Sequence, residues 1–180
     1  LGHPEILYDE IVRVPLIMAG PRLPRKGVTV RRQVMSIDIL PTVLELLKIK
    51  PSPHLQGESL MPLIRGMEAG DSRPAYADAL YIDAVRTREW KFIQRAEKRD
   101  GQKPPLCPVP QLFNLEKDPE EKTDLSTRDA SNREMLDKRL QEWRAENGRL
   151  RTQLGLDKAA EKVTLDKQTI EELRALGYLQ

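Results

Sequence analysis

The stretch Val85-Arg86-Thr87-Arg88-Glu89-Trp90-Lys91-Phe92-Ile93 decides the fold of the second half of this chain. Its two ends belong to short runs of strand-forming residues, 83–86 and 90–94, and the polar triplet between them has the length of a β-hairpin connection. Two further strand candidates lie outside this hairpin, at 75–77 and 112–115. The pattern therefore predicts a small antiparallel sheet.

Upstream of this sheet the pattern is that of an α/β core. Residues 14–19 form a continuous apolar run, which is typical of a strand covered on both faces. Residues 38–47 predict a deeply packed helix, with Asp38 as its N-cap and Pro41 in its first turn. Residues 56–66 predict a turn and a short helix.

Downstream of the sheet the sequence predicts two helices. The first begins near Ser131, which forms a capping-box pattern with Glu134, and ends at Asn147-Gly148. The second runs from an N-cap at Asp166 to a C-terminal Gly177. An apolar stripe on the first helix is expected to pack on the sheet, and it consists of Leu136, Leu140 and Trp143.

Composition excludes several classes of protein. The 180 residues carry a net charge of +2, which argues against a nucleic-acid partner, and no apolar run approaches the ~18 residues of a membrane span. A single cysteine excludes an internal disulfide framework and a cysteine-based zinc site. That residue, Cys107, has no basic or histidine neighbour to lower its pKa, so we interpret it as an ordinary loop thiol.

The two histidines are candidates for acid–base chemistry or for contact with an anionic substrate. His3 lies in a loop between Gly2 and Pro4, and its spacing alone favours a surface histidine near a chain end. His54, between Pro53 and Leu55, is interpreted in the same way. A residue-by-residue reading therefore yields no complete catalytic constellation, and no phosphate-binding glycine loop, HExxH, G-x-S-x-G or EF-hand pattern occurs.

Two groups of basic residues could contact an anion, but both are interpreted as solvated. The first lacks interleaved aromatic residues, which argues against single-stranded nucleic acid, and the second flanks the hairpin, where exposed charges are ordinary. The groups are Arg22, Arg25, Lys26, Arg31 and Arg32, and Arg86, Arg88 and Lys91.

The order of motifs is more specific than any single residue. Five segments, in the right order, resemble the sulfatase family. The most telling are the Arg-Val-Pro-Leu-Ile run of the first segment and the Asp-Pro-x-Glu pattern of the last. The segments are 7–17, 36–46, 56–63, 85–93 and 112–125, and the tail 172–179 recurs in some bacterial members.

This resemblance implies an α/β protein whose C-terminal portion, taken alone, is α+β. Residues 1–70 would be the end of an alkaline-phosphatase-like α/β core. Residues 71–150 would form a four-stranded antiparallel sheet with a packed C-terminal helix, and residues 151–180 a helical extension.

The resemblance also implies a sulfuric ester hydrolase. In this family a Cys or Ser in a C/S-x-P-x-R motif becomes formylglycine, whose hydrate attacks sulfur, and a bound calcium polarises the sulfate. Cys107 is followed by Pro108-Val109-Pro110-Gln111, which departs from that motif. In this family the metal-binding aspartates normally precede the Leu-Tyr segment, so the resemblance places the nucleophile and the calcium ligands upstream of Leu1. This chain is then expected to form the wall beside the active site, to bind no cofactor of its own and to be inactive alone.

One residue matches a substrate-contacting position of the family, since a Lys or His there often precedes the Leu-Tyr segment. That residue is His3. The partner implied is a sulfate ester, and relatives are often periplasmic, extracellular or lysosomal. One alternative is a phosphonate or phosphodiester hydrolase of the same superfamily. Another is a non-catalytic interaction module with the charged helices of residues 126–180 as its surface.

Overall fold

The fold is built around a four-stranded antiparallel sheet. The computed structural model describes residues 6–67, 72–79, 81–96, 107–156 and 167–175. The strands follow one another as a meander, in the order β1-β2-β3-β4, with Val85 opposite Phe92 and Phe92 opposite Leu112. This arrangement confirms the predicted sheet and the hairpin at its centre. The strands are β1 (Ala75–Asp78), β2 (Ile82–Arg86), β3 (Trp90–Arg95) and β4 (Gln111–Asn114).

One face of the sheet is covered by a long helix, α4 (Ala130–Gln153). Three short helices precede it: α1 (Asp9–Val12), α2 (Ile39–Leu46) and α3 (Met61–Ile64). Leu136 and Leu140 of α4 are fully buried against the sheet, and the ring of Trp143 stacks on Tyr76 with 5.1 Å between ring centroids. The predicted stripe is therefore confirmed. The sheet side chains beneath it are Val85, Phe92 and Leu112.

The other face of the sheet is covered by the N-terminal segment of the chain. Leu7 is buried there, and the ring of Tyr8 meets Phe113 edge-on at 5.9 Å between centroids. The two faces are thus covered by sequence from opposite sides of the sheet, one before it and one after. The apolar cluster of this second face includes Ile82, Ala84, Ile93, Phe113 and Leu115.

The predicted strand at 14–19 is wrong in this structure. The segment belongs to no strand, and Val14 and Ile17 are 72% and 87% exposed. A strand needs a hydrogen-bonded neighbour, and within the described residues the sheet consists only of β1 to β4. The apolar run is therefore present without the layers that would cover it.

The helix at 38–47 is present, but its packing differs from the prediction. A 3₁₀ turn (Ser36–Asp38) leads into α2, and Pro41 lies in the first turn, as predicted. The apolar stripe that was expected to be buried is instead half-exposed or exposed, because nothing in the described part of the chain lies over it. Its exposed members are Ile39, Leu40, Val43 and Leu47.

The ends of the C-terminal helices differ from those that the sequence predicts. Helix α4 begins at Ala130, next to the predicted start at Ser131, but its cap is Asp129, whose carboxylate accepts the backbone N–H of Asn132 at 3.1 Å. It also continues through Gly148 to Gln153, since one glycine costs a helix only about 1 kcal/mol. The last helix is α5 (Lys167–Ala175), and the predicted ends at Asp166 and Gly177 lie outside the described residues.

The chain divides into two compact units, Leu1–Ala145 and Glu146–Gln180. The first holds the sheet and both of the layers that cover it. The second contains the end of α4 and helix α5. None of the described helices combines the length and the apolar composition that crossing a membrane requires. The predicted boundaries near residues 70 and 150 stay predictions.

Candidate functional site

The predicted site residues do not assemble into a site within the described part of the chain. His3 lies outside the described residues, and His54 is exposed. Cys107 is buried beside the sheet, and this burial raises the pKa of its thiol, so it is held as an unreactive neutral group. Four residues of the basic loop are exposed, as interpreted above: Arg22, Arg25, Lys26 and Arg31.

The side chains in the part of the chain that the structure describes do not fit calcium or formylglycine. Among the described residues, no three His, Cys, Asp or Glu side chains are grouped so that they could hold a metal ion. Cys107 lacks the sequence context for conversion to formylglycine and faces the core. We therefore derive no catalytic step through either group from these residues.

What the structure does bring together is a cluster of buried charges, which we call the anchor cluster: Asp9, Arg86, Lys91 and Glu121. The Lys91 side chain is only 1% exposed, and its Nζ lies 2.9 Å from Asp9 Oδ1 and 2.8 Å from Glu121 Oε1. The Glu121 side chain is also almost completely buried, and its other oxygen accepts the backbone N–H of Asp9. The ammonium is thus held between two carboxylates, as a buried charge requires.

Arg86 completes the anchor cluster from the neighbouring strand. Its Nε and Nη2 donate to the Asp9 carboxylate at 3.0 and 2.8 Å, which is a bidentate pair. Burial alone would raise the pKa of Asp9, but the hydrogen bonds from Arg86 and Lys91 outweigh it and hold that pKa below its usual range. Two cations then face two anions, so the cluster has no spare charge with which to bind an anionic ligand.

The interpretation of the hairpin charges was therefore wrong for Lys91, which is buried, and for Arg86, which is largely buried and paired with Asp9. It was right for Arg88, whose side chain is 82% exposed. A signal was available, because Lys91 alternates with Ile93 along β3 and so shares its face. On the neighbouring strand β4, the residue that pairs with Lys91 is the apolar Phe113. A lysine within an apolar face indicates a buried partner.

The turn after β4 delivers Glu121 to this cluster. Asp118 accepts the backbone N–H groups of Lys122 and Thr123 at 3.1 and 2.7 Å, which closes the turn. Glu121 has a positive φ of 55°, which non-glycine residues rarely adopt. The Asp-Pro-x-Glu pattern thus consists of a turn-forming aspartate and a carboxylate aimed at Lys91.

A second polar centre lies around Asp38, which is almost completely buried. Its carboxylate accepts the backbone N–H groups of Met35 and Glu58 at 2.8 and 2.9 Å and pairs with Arg73. Asp38 is the N-cap residue of α2, as predicted, but its side chain makes no capping hydrogen bond to that helix. A side chain at Gly57 would place its Cβ 2.0 Å from the Ile37 carbonyl oxygen, so only glycine allows this approach.

Thr42 extends the second centre. Its hydroxyl donates to the Asp38 carbonyl oxygen at 2.6 Å and accepts the backbone N–H of Leu60 at 2.8 Å. Gln33 ties the two centres together, since its side-chain amide donates to the backbone carbonyls of Arg73 and Arg86 at 3.2 and 3.1 Å. The five motif segments therefore meet in one framework of buried polar contacts rather than in a reactive centre.

The sequence of the chain matches known proteins. The family model described as N-sulphoglucosamine sulphohydrolase, C-terminal, matches residues 4–146. Arylsulfatase K of Danio rerio is 35% identical over 125 residues, which cover 64% of this chain and 22% of that protein. Arylsulfatase K of Mus musculus is 31% identical over 134 residues, or 67% of this chain and 23% of that protein.

Solved structures agree with this match. A candidate sulfatase from Bacteroides thetaiotaomicron VPI-5482 superimposes with a TM-score of 0.53 and 25% identity, covering 91% of this chain and 34% of that one. The chain therefore spans about a quarter of the length of the two arylsulfatases and a third of this structure. Because the family model matches well over half of the chain, the chain belongs to the sulfatase family and carries its C-terminal region.

Proposed function

We propose that this chain is the C-terminal part of a sulfuric ester hydrolase and forms the wall beside its active site. In this arrangement residues 1–70 complete the α/β core, residues 71–150 form the C-terminal subdomain and residues 151–180 extend it. The observation that carries the proposal is the family match over residues 4–146, in a chain about a quarter as long as its arylsulfatase relatives. The nucleophile and the metal ligands are then supplied by the rest of a longer polypeptide, which acts on a sulfate ester.

The exposed apolar surface supports this arrangement. Val14 and Ile17 present branched apolar side chains to solvent, and so does the outer face of α2. Isolated exposed apolar residues are common, but a continuous apolar run together with the apolar face of a helix indicates a missing layer. The occupant that we propose for this surface is the remaining α/β core of the longer polypeptide.

Leu40→Ala tests that occupant. Leu40 is 51% exposed on α2, and alanine is an equally good helix former, so the 180-residue chain should change its unfolding free energy by no more than about 0.5 kcal/mol. In the longer polypeptide the same change should cost about 2–5 kcal/mol, because it would leave a cavity. Thermal unfolding of the wild type and of Leu40→Ala, in the 180-residue chain and in the longer polypeptide, measures these two costs. Equal, small effects in the two polypeptides would show that the core does not cover this surface.

Hydrolysis of an aryl sulfate tests the activity. The longer polypeptide, expressed with its maturation system, is expected to release 4-nitrophenol from 4-nitrophenyl sulfate, and the 180-residue chain alone is expected to release none. A phosphonate monoester of 4-nitrophenol serves as the comparison substrate. A clear preference for the phosphonate would favour the phosphonate hydrolase alternative, and turnover by the short chain alone would overturn the division of roles.

His3→Ala tests the proposed substrate contact. We propose that His3 reaches the sulfate or the leaving group, so its removal from the longer polypeptide should lower kcat/KM for the aryl sulfate by about 10²-fold. His54→Ala is the matched control, because His54 is an exposed loop residue and its loss should leave kcat/KM unchanged. Equal activity of the two variants would show that His3 does not contact the substrate.

A further inference from the structure

We infer that the anchor cluster positions the N-terminal segment for the reaction, with Lys91 as its central positioning residue. The inference rests on the proposed function, because the chain that precedes this segment includes His3. Lys91 binds no substrate in this view. It acts through Asp9, and therefore on the described residues just before it, Ile6 to Tyr8, which pack on the sheet.

The segment depends on outside contacts for its position. Helix α1 has only four residues and is far too short to be stable by itself. Its apolar contacts, through Leu7 and Tyr8, hold it against the sheet but are non-directional. Outside the cluster, Tyr8 adds one hydrogen bond, from its hydroxyl to Gln111 Oε1 at 2.9 Å.

The anchor cluster supplies the direction that apolar packing lacks. Asp9 is held on three sides: by Lys91 from β3, by Arg86 from β2, and through its own backbone N–H by Glu121 from the turn after β4. These groups come from separate elements, so together they fix both the location and the rotation of the first residue of α1. The Lys91 ammonium donates a hydrogen bond to Asp9 Oδ1 at 2.9 Å and forms an ion pair with Glu121 Oε1 at 2.8 Å.

The balance of charges explains why the anchor cluster defines the position of the N-terminal segment more than it strengthens the attachment of that segment to the sheet. Burying two cations and two anions costs solvation free energy that their attraction only partly offsets. A hydrophobic replacement could hold the segment on the sheet, but it would not define its register to a fraction of an ångström. Displacing a catalytic group by about 1 Å can lower a rate by about 10²-fold.

The chain offers a matched control on the opposite face of the sheet. Asp83 and Arg144 form another largely buried ion pair, with Arg144 Nε 2.7 Å from Asp83 Oδ2. Arg144 also donates to the Arg95 carbonyl oxygen at 2.8 Å, so this pair joins α4 to the strands. It has the same chemistry as the anchor cluster but lies on the other layer.

The experiment compares Lys91→Met with Arg144→Met in the longer polypeptide. Hydrogen exchange is followed at the amides of Ile11, Val12 and Arg13, which donate to Tyr8 and Asp9 carbonyls in α1. In parallel, kcat and KM are measured for 4-nitrophenyl sulfate, below the unfolding temperature of both variants. Asp9→Asn provides a second, isosteric change should Lys91→Met fold poorly.

Lys91→Met is expected to speed exchange at these amides at least about tenfold and to lower kcat by about 10–10²-fold, with KM changed much less. Arg144→Met should leave the exchange rates at these amides and kcat within about twofold of the wild-type values. Unchanged exchange in Lys91→Met and Asp9→Asn would overturn the anchoring. Faster exchange with an unchanged kcat would overturn the positioning role. A wild-type polypeptide without sulfatase activity would instead refute the proposed function, while the exchange result would still decide the anchoring.

Discussion

Replacing Lys91 with methionine is expected to lower the free energy of unfolding of the 180-residue chain by about 3–5 kcal/mol. The change keeps the length of the side chain but leaves Asp9 and Glu121 facing each other without the cation between them. Arg86 neutralises only one of these carboxylates. Removing one partner from a buried ionic group costs far more than the whole group contributes, because the remaining charge has neither water nor counter-ion.

Lys138→Met is the control for this prediction. Lys138 also faces a glutamate, Glu142, but at 4.0 Å and with 80% of its side chain exposed. Its replacement should change stability by no more than about 0.5 kcal/mol. Urea denaturation of both variants, with equal m-values, measures the two effects. A loss below 1 kcal/mol for Lys91→Met would mean that Lys91 is not buried between two charged carboxylates in solution.

Leu140→Ala is expected to cost about 2–5 kcal/mol. Leu140 is fully buried on α4 against Val85, Phe92 and Leu112 of the sheet, and both layers are rigid, so the cavity left by three carbon atoms cannot close. Leu47→Ala, at an exposed leucine, should stay within about 0.5 kcal/mol. The same denaturation measurement applies. Equal effects of the two substitutions would show that α4 does not cover the sheet.

The parts of this fold that local patterns determine were predictable from the sequence. Strands β2 and β3 are short runs of strand-forming residues joined by a connection of hairpin length, and Leu136 and Leu140 share one face of any helix that contains them. The family resemblance, too, came from short segments in a fixed order, and the family match over residues 4–146 confirms it.

The polar framework could not be predicted in the same way, because its partners are far apart in the sequence. Lys91 and Asp9 are separated by 82 positions, and Asp38 and Arg73 by 35. Periodicity indicates which face a residue occupies, but not which distant segment covers that face. The motif residues were visible in the sequence, whereas their use as internal ion pairs became visible only in the folded chain.

The exposed apolar elements failed as predictions for a different reason. The run at 14–19 and the stripe of α2 have the composition of buried elements, yet both are largely exposed in the described structure. Sequence composition reflects every surface that a residue covers in the whole protein. A prediction from such a pattern therefore concerns the longer polypeptide that we propose, and the Leu40→Ala comparison tests it there.

The covering of the sheet from both sides of the sequence has a consequence for how the protein can be divided. A polypeptide that started near residue 71 would keep all four strands and α4 but would lack Leu7, Tyr8 and Asp9. One sheet face would then lose the cover that Leu7 and Tyr8 provide, and Lys91 would keep only Glu121 as a counter-ion. The sheet and α4 therefore form a recognisable subdomain, but this subdomain needs the N-terminal residues to cover its second face. Anyone who wishes to transplant, crystallise or label it separately must bring along a dozen residues that the chain contributes long before the first strand.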